Sequence, residues 1–352
     1  MLHRLVADYF LPPPPQPDCI VGHLNEDPQD ARAANLAWIS RSENAARAHV
    51  ARTRSTGALA LHDFVSAHVA AERGTKFATK AGVVALDVFI PDKKLGIIYE
   101  TISAASELAG GRHRLARVQE NDALLQEHGI RVVRVLSKEW EEQEALARSV
   151  LLHKVGVTAQ RIYARQTEVK LVPTPVSAAF LNANHMQGTV GSSFKYGCYF
   201  KGELVALATF GVPRYGNSAP GHYELLRYAN KVESSVVGGF SKIMARFIAD
   251  QQPVKILSFA DRRWSSGNLY EQAGFTLARV SAPNYFYFRP SAPNDLHTRV
   301  AFQKHKLPAL LERFDPTITE FENMKENGWD RIWDCGNLVY ELDLKKTPSP
   351  SS

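Results

Sequence analysis

The stretch "SFADRRWSSGNLYEQAGF", residues 258–275, decides how the rest of the chain is read. An apolar run ends in Asp261; two arginines, a tryptophan, two serines and Gly267 follow; "NLYEQAGF" then has the spacing of a short helix. That order is strand, turn, helix. A carboxylate at the carboxyl end of a buried strand, beside a helix start, is a common way to build a site in an α/β layer fold. Working outward, "VKILSFAD" is preceded by the helical "SKIMARFIAD", by "HYELLRYAN", and by the strand pair "YGCYFKGELVALATFG" (196–211) turning at Lys201 and Gly202. Alternating strands and helices of this kind predict a mixed-sheet α/β domain.

The same alternation occurs earlier. "VVALDVFIPDKKLGIIYE" (83–100) predicts a hairpin around Pro91 to Lys94. A helix carrying Leu115, Val118, Leu124 and Leu125, the strand "IRVVRVL" (130–136) and the helix "EWEEQEALARSVLLHKVG" then complete a compact unit closing at Gly156. Ahead of it, "ARTRSTGALALHDFVSAHVAAERG" predicts a basic link and a helix capped by Gly74. In the first residues, Pro12 to Pro15 cannot sit in a helix interior and must run extended. The chain therefore reads as α/β (α+β) with three domains, residues 1–55, 56–157 and 158–345, the last with a carboxyl-terminal extension and a disordered tail "LKKTPSPSS".

At 352 residues with 45% hydrophobic side chains, the chain is long enough for several cores and too apolar for overall disorder. Its net charge of +6 favours a polyanionic partner. The basic residues cluster in "RAHVARTR", "GGRHRLAR", "DRRW" and "FQKHK". Cys19, Cys198 and Cys335 have no CxxC spacing, which excludes a disulfide framework and fits a reducing cytoplasm. No apolar run reaches the length of a bilayer span, so no membrane association is expected.

"HRLVADYF", "GHLNED" and "NLAWISRSENAARAH" resemble the HNH nucleases of the intron-encoded type, a small ββα module in which a histidine activates water beside a metal-holding oxygen ligand. The resemblance places His3, His23 and Asn35 in that frame, with Gly22 where the family offers Asn or Asp. It implies a DNA-binding remnant of such a module. "LDVFIPDKKLGIIYE" resembles the very-short-patch-repair endonucleases and related homing enzymes, which have a PD-(D/E)xK-like fold. Asp87 falls on their first carboxylate, and Glu100, two residues beyond the expected glutamate at Ile98, faces the same side of its strand. Ala104 and Ala105 replace the family's Trp-His pair, which implies a degenerate, DNA-recognising scaffold.

"NANHMQG", "ELLRYAN", "VVGGFSKIMARFI" and "SFADRRWSSGNLYEQAGF" together resemble the phage Mom proteins, DNA-modifying members of the GNAT acyltransferase fold. The resemblance implies that His185, Arg227, Asp261 and Tyr270 are the catalytic set. His185 and Asp261 suit either a transition metal such as iron or the movement of a proton from an adenine amine. Gly238, Gly239 and Ser241, just ahead of a helix, are candidates to hold a cofactor phosphate or a DNA phosphate, the cofactor being an acyl-CoA-like donor. Arg262, Arg263, Arg299, Lys304 and Lys306 are the expected DNA contacts.

The resulting expectation is a phage-type protein of the infected bacterial cytoplasm that acts on double-stranded DNA. Its favoured activity is base modification, at the exocyclic amine of adenine, with the front domains delivering DNA. The alternative is a homing-type endonuclease, dependent on Mg²⁺ or Mn²⁺, that uses His23 with Asn35 or Asp87 with Glu100.

Overall fold

The apolar spacing of "LHRLVADYF" folds as helix α1 (Leu2–Phe10), and the prolines behind it are not helical. In the computed structural model, residues 2–16, 19–24, 30–40, 56–79, 82–109, 111–214 and 219–344 are described. They divide into two compact units, Met1–Gly57 and Ala58–Ser352.

In the first unit α1 is followed by strands β1 (Ile20–His23) and β2 (Leu36–Ile39). They pair antiparallel, with Ile20 opposite Ile39 and His23 opposite Leu36. The Trp38 indole donates to the Pro12 carbonyl at 2.8 Å, which holds the proline run against the hairpin. The helix expected after β2 falls outside the described residues.

The second unit opens with helix α2 (residues 56–66). Strands β3 (Glu72–Thr79), β4 (Gly82–Ile90) and β5 (Leu95–Glu100) follow. Next come helix α3 (Gly111–Glu127), strand β6 (Arg131–Leu136) and helices α4 (Ser137–Glu142) and α5 (Glu144–Val155). The sheet order is β3-β4-β5-β6, and β5 and β6 run parallel because α3 carries the chain back between them. One face packs Val88, Ile97, Tyr99 and Val135 against Leu61, Trp140 and Leu151. The other packs Leu86 and Ile98 against Leu125 and Ile130. Gly74 does not cap a helix: α2 ends eight residues earlier, and Gly74, with φ 66°, lies inside β3. The "EWEEQEALARSVLLHKVG" helix is in fact two, broken at Gln143.

The chain then forms β7 (Gln160–Tyr163), β8 (Glu168–Leu171), α6 (Thr174–Asn184), β9 (Phe194–Phe200), β10 (Glu203–Gly211), β11 (His222–Asn230) and β12 (Ser234–Val237). Next are α7 (Gly239–Gln251), β13 (Lys255–Asp261), α8 (Asn268–Gln272), β14 (Thr276–Val280), β15 (Tyr285–Arg289) and β16 (Ala292–Thr298). The last elements are α9 (Leu307–Leu310), α10 (Glu320–Glu326), β17 (Asp330–Trp333) and β18 (Asn337–Asp343).

Seven of these strands make one mixed sheet, ordered β14-β18-β13-β11-β10-β9-β8. Its core gathers Tyr196, Phe210, Leu225, Ile243, Phe247, Ile256 and Tyr340. Only β11 and β13 pair parallel in it. Their ladder joins His222–Leu225 to Lys255–Ser258 and stops there, although both strands continue. Beyond Leu225 and Ser258 the pair splays open. A separate sheet, β16-β15-β17, has a small core of Tyr287, Leu307, Met324 and Trp329. The three cysteines are free. No helix among the described residues is long and apolar enough to cross a membrane.

Candidate functional site

A cavity of about 900 Å³ lies at the mouth of the splay. Leu225 to Arg227 form one lip, and Phe259 and Asp261 the other. Leu136 and Glu139 close it from the four-stranded sheet, and Phe286 and Trp333 from the three-stranded one. This is the carboxyl end of a parallel pair whose neighbours are antiparallel, the position where α/β sheets ordinarily leave a crevice.

His185 reaches the cavity from the carboxyl end of α6. Burial, and then the nearby Arg227 cation, push its imidazole down to about 3, so it is neutral at physiological pH. Its Nδ1 accepts the Gln187 amide at 3.1 Å. A neutral imidazole that accepts at Nδ1 carries its proton on Nε2, so the ring presents a donor and not a base.

Arg227 is held by carbonyls: Nε donates to Gly188 O at 3.1 Å and Nη1 to Leu226 O at 2.8 Å. Burial and the neighbouring Arg214 push its guanidinium down to about 10, still charged at pH 7. Glu224 does not neutralise it directly, because Arg214 grips that carboxylate through Nε at 3.1 Å and Nη2 at 2.6 Å. Among the described residues no carboxylate forms an ion pair with Arg227.

Asp261 ends β13 and accepts twice from Arg263, from the amide at 2.9 Å and from Nη2 at 3.0 Å. The same Nη2 donates to Glu139 at 2.9 Å, and the Trp264 indole donates to Glu139 at 3.2 Å. Arg263 is consequently held inside the protein, with its Nη1 unpartnered among the described residues, and does not present a surface contact for DNA. Met186 and Trp264 pack against the core of the four-stranded sheet, so both sheets share this segment.

Tyr270 does not line the cavity. It lies behind it in the core, stacked on Tyr340 with ring centroids 5.1 Å apart and meeting Phe240 edge-on. Burial raises its phenol, against opposing effects from a hydrogen bond with Ser258 and the charge of Arg227. The Ser258 hydroxyl in turn donates to Leu225 O at 3.2 Å, at the last rung of the parallel ladder. Three of the four expected residues therefore share one cavity, and the fourth sits behind it.

The pair His185 and Asp261 fits a divalent ion poorly: the Arg227 cation stands beside His185, and Asp261 already serves Arg263. Among the described residues no group of three or more His, Cys, Asp or Glu gathers as metal ligands. Gly238, Gly239 and Ser241 line none of this cavity. Gly238 supplies the left-handed turn ahead of α7, with φ 79°, and a Cβ on Gly239 would lie 2.7 Å from Val236 Cγ1. Lys242 is bound to the carbonyls of Ala164 and Thr167. The two glycines answer local packing at the start of α7.

In the four-stranded sheet Asp87 accepts the Tyr99 amide at 2.8 Å, just where β4 stops pairing with β5. Glu100 is buried against Arg134 at 2.9 Å, which also binds Asp122. Both carboxylates are engaged. In the first unit the rings of His3 and His23 meet edge-on at 5.1 Å. The β1–β2 pairing puts His23 opposite Leu36, next to Asn35, whose amide donates to Asp30 O at 2.8 Å. His23 Nε2 is buried without a hydrogen-bond partner among the described residues.

Of the expected DNA contacts, Arg262 donates to Cys335 O at 3.1 Å and Arg299 lies over the Tyr285 ring, its Nε 3.6 Å from Glu320. Lys304 and Lys306 donate to carbonyls of Pro316 and Val300. Sequence reasoning missed Glu139, Glu224, Phe259, Phe286 and Trp333. Glu139 and Arg263 stand 124 residues apart, and no local pattern joins them.

Residues 1–46 match the family model described as HNH endonuclease. No curated protein matches the chain. Solved structures similar to part of it include a Bacillus subtilis acetyltransferase in complex with CoA, at 16% identity over 51% of this chain and 99% of that one, TM-score 0.29. A GNAT family acetyltransferase from Elizabethkingia anophelis with acetyl-CoA bound has 14% identity over 51% and 99%, TM-score 0.30. The ribosomal-protein-S18-alanine N-acetyltransferase from Escherichia coli has 10% identity over 53% and 99%, TM-score 0.29. At these scores the fold rests on the strand order given above and not on the likeness.

Proposed function

We propose that this chain is a DNA-acting protein that modifies a nucleobase swung out of the duplex into the large cavity. The observation that carries the reading is the meeting of His185, Arg227 and Asp261, from three separate elements, on one cavity at the open end of the parallel pair. Its volume lies within the roughly 300–1,000 Å³ typical of ligand pockets. Phe259, Phe286 and Trp333 give it apolar and aromatic wall against which an extruded base can rest.

The donors and the acceptor divide the chemistry. Asp261, oriented by Arg263, is the group to accept a hydrogen bond from an exocyclic amine and take its proton, which suits adenine N6. With an acyl-CoA-like donor, the N6 nitrogen would form a bond to the thioester carbonyl carbon as the carbon–sulfur bond breaks and the CoA thiolate leaves; the Arg227 guanidinium and the His185 Nε2–H stabilise the negative charge that develops on the carbonyl oxygen. On this reading the domains are residues 1–55, 56–157 and 158–345, and the last is a Mom-like GNAT domain in a phage-type protein of the host cytoplasm. The HNH-like residues 1–46 and the degenerate repair-endonuclease-like sheet hold the DNA. Co-expression with plasmid and mass spectrometry of the nucleosides tests it. A modified nucleoside lost in His185→Gln and Arg227→Met is expected; an unmodified pool with the wild-type chain overturns it.

A second reading, a metal-dependent DNA endonuclease, is favoured by the HNH match over residues 1–46 and by the unpartnered His23 Nε2. Plasmid nicking with Mg²⁺ or Mn²⁺ that disappears in His23→Ala supports it.

A further inference from the structure

A second cleft, of about 310 Å³, opens on another side of the "DRRWSS" segment, where it meets α3, α5 and β6. Three cations from three elements line it: Arg131 on β6, Lys154 on α5 and Arg262 after β13. Among the described residues none of the three forms an ion pair with a carboxylate. The two acids on the wall are committed elsewhere, Asp122 to Arg134 at 2.6 Å and Glu271 to the Tyr340 hydroxyl at 2.9 Å. Arg262 reaches only a carbonyl, that of Cys335, and Lys154 only that of Trp264.

Like charges gathered without a paired counter-ion oppose one another. Burial first, and then Arg131, push the Lys154 ammonium down to about 8, against the opposing charge of Asp261. Ser265 and Ser266 add hydroxyls. Guanidinium forks, an ammonium and hydroxyls around one opening are the donor set that phosphate oxygens take.

We infer that the cleft lined by Arg131, Lys154 and Arg262 is a phosphate-binding site, its phosphate supplied by the DNA backbone or by a free phosphate compound. The site is distinct from the large cavity, and its test does not depend on any base being modified. The full chain is titrated with a fluorescein-labelled duplex of arbitrary sequence at several salt concentrations, and separately with sodium pyrophosphate by calorimetry. The variants are Arg131→Gln, Arg262→Gln and the pair; Arg131 is exposed, so its variant keeps the fold. Lys201→Gln, in the exposed β9–β10 turn, is the control.

If the occupant is DNA backbone, the slope of log K against log[salt] falls by about 1 in the double variant and not in the control. If it is a free phosphate compound, the double variant loses pyrophosphate binding while the DNA slope stays unchanged. An unchanged DNA slope together with either unaltered or undetectable pyrophosphate binding in the wild type overturns the inference.

Discussion

His185 shows how much one side chain's surroundings decide. The sequence places a histidine in a polar loop and leaves its role open between ligand and base. Burial, and then the Arg227 cation, keep it neutral, and the Gln187 amide on Nδ1 leaves its proton on Nε2. Its titration has a sign that can be checked. The free side chain titrates near 6.5 and the folded one near 3, so the native state refuses a proton that the unfolded chain accepts as pH falls below 6.5. This contribution is fully present above pH 6.5 and is lost progressively toward pH 3. His185→Gln should therefore lose less stability than wild type on acidification from neutrality to about pH 5. The difference should be ~1 kcal/mol after allowance for partial exposure. Thermal melts at the two pH values measure it; parallel pH profiles would show that His185 is not the neutral group described.

At the scale of elements, the turn after β13 does two tasks that its sequence hints at only in part. A strand ending in Asp261 and a glycine-bearing turn into α8 were legible from apolar spacing and turn residues. That Arg263 would cross to Glu139 and join two sheets was not, because ion pairs between distant segments leave no periodic mark. Glu139 is buried, caps the amide of Leu136 at 2.9 Å and receives both Arg263 and Trp264. Glu139→Gln should cost about 2 kcal/mol, since it removes one charge from a buried network while Asp261 still faces Arg263. Urea unfolding followed by Trp fluorescence measures that loss, and an effect within ±0.5 kcal/mol would make the contact a passive one. Strand β3 was hidden for a different reason: "ERGTKFAT" is largely exposed and polar, and only its pairing with β4 makes it a strand.

At the scale of the molecule, residues 58–352 form one compact unit that holds both the four-stranded and the seven-stranded sheet. Residues 58–352 expressed alone should melt with the same midpoint that this unit shows in the full chain, by differential scanning calorimetry. A large downward shift would mean that the first 57 residues contribute to its core. The carboxyl-terminal strand shows what global topology adds. "NGWDRIWDCGNLVYEL" carries recognisable strand residues, yet β17 joins the three-stranded sheet while β18 runs between β14 and β13. Tyr340 of β18 then becomes the surface on which Tyr270 stacks.

The sequence by itself determined the periodic elements, the strand–turn–helix around Asp261 and the nuclease-like residues at the amino end, because apolar spacing and turn residues act between near neighbours. Tertiary structure alone decided that His185, Arg227 and Asp261 would share a cavity, that Tyr270 would stand behind it, and that Arg131, Lys154 and Arg262 would meet. Those outcomes depend on which strands pair and where a parallel ladder stops, and hydrogen-bonded backbones make such choices between segments that carry no local record of one another.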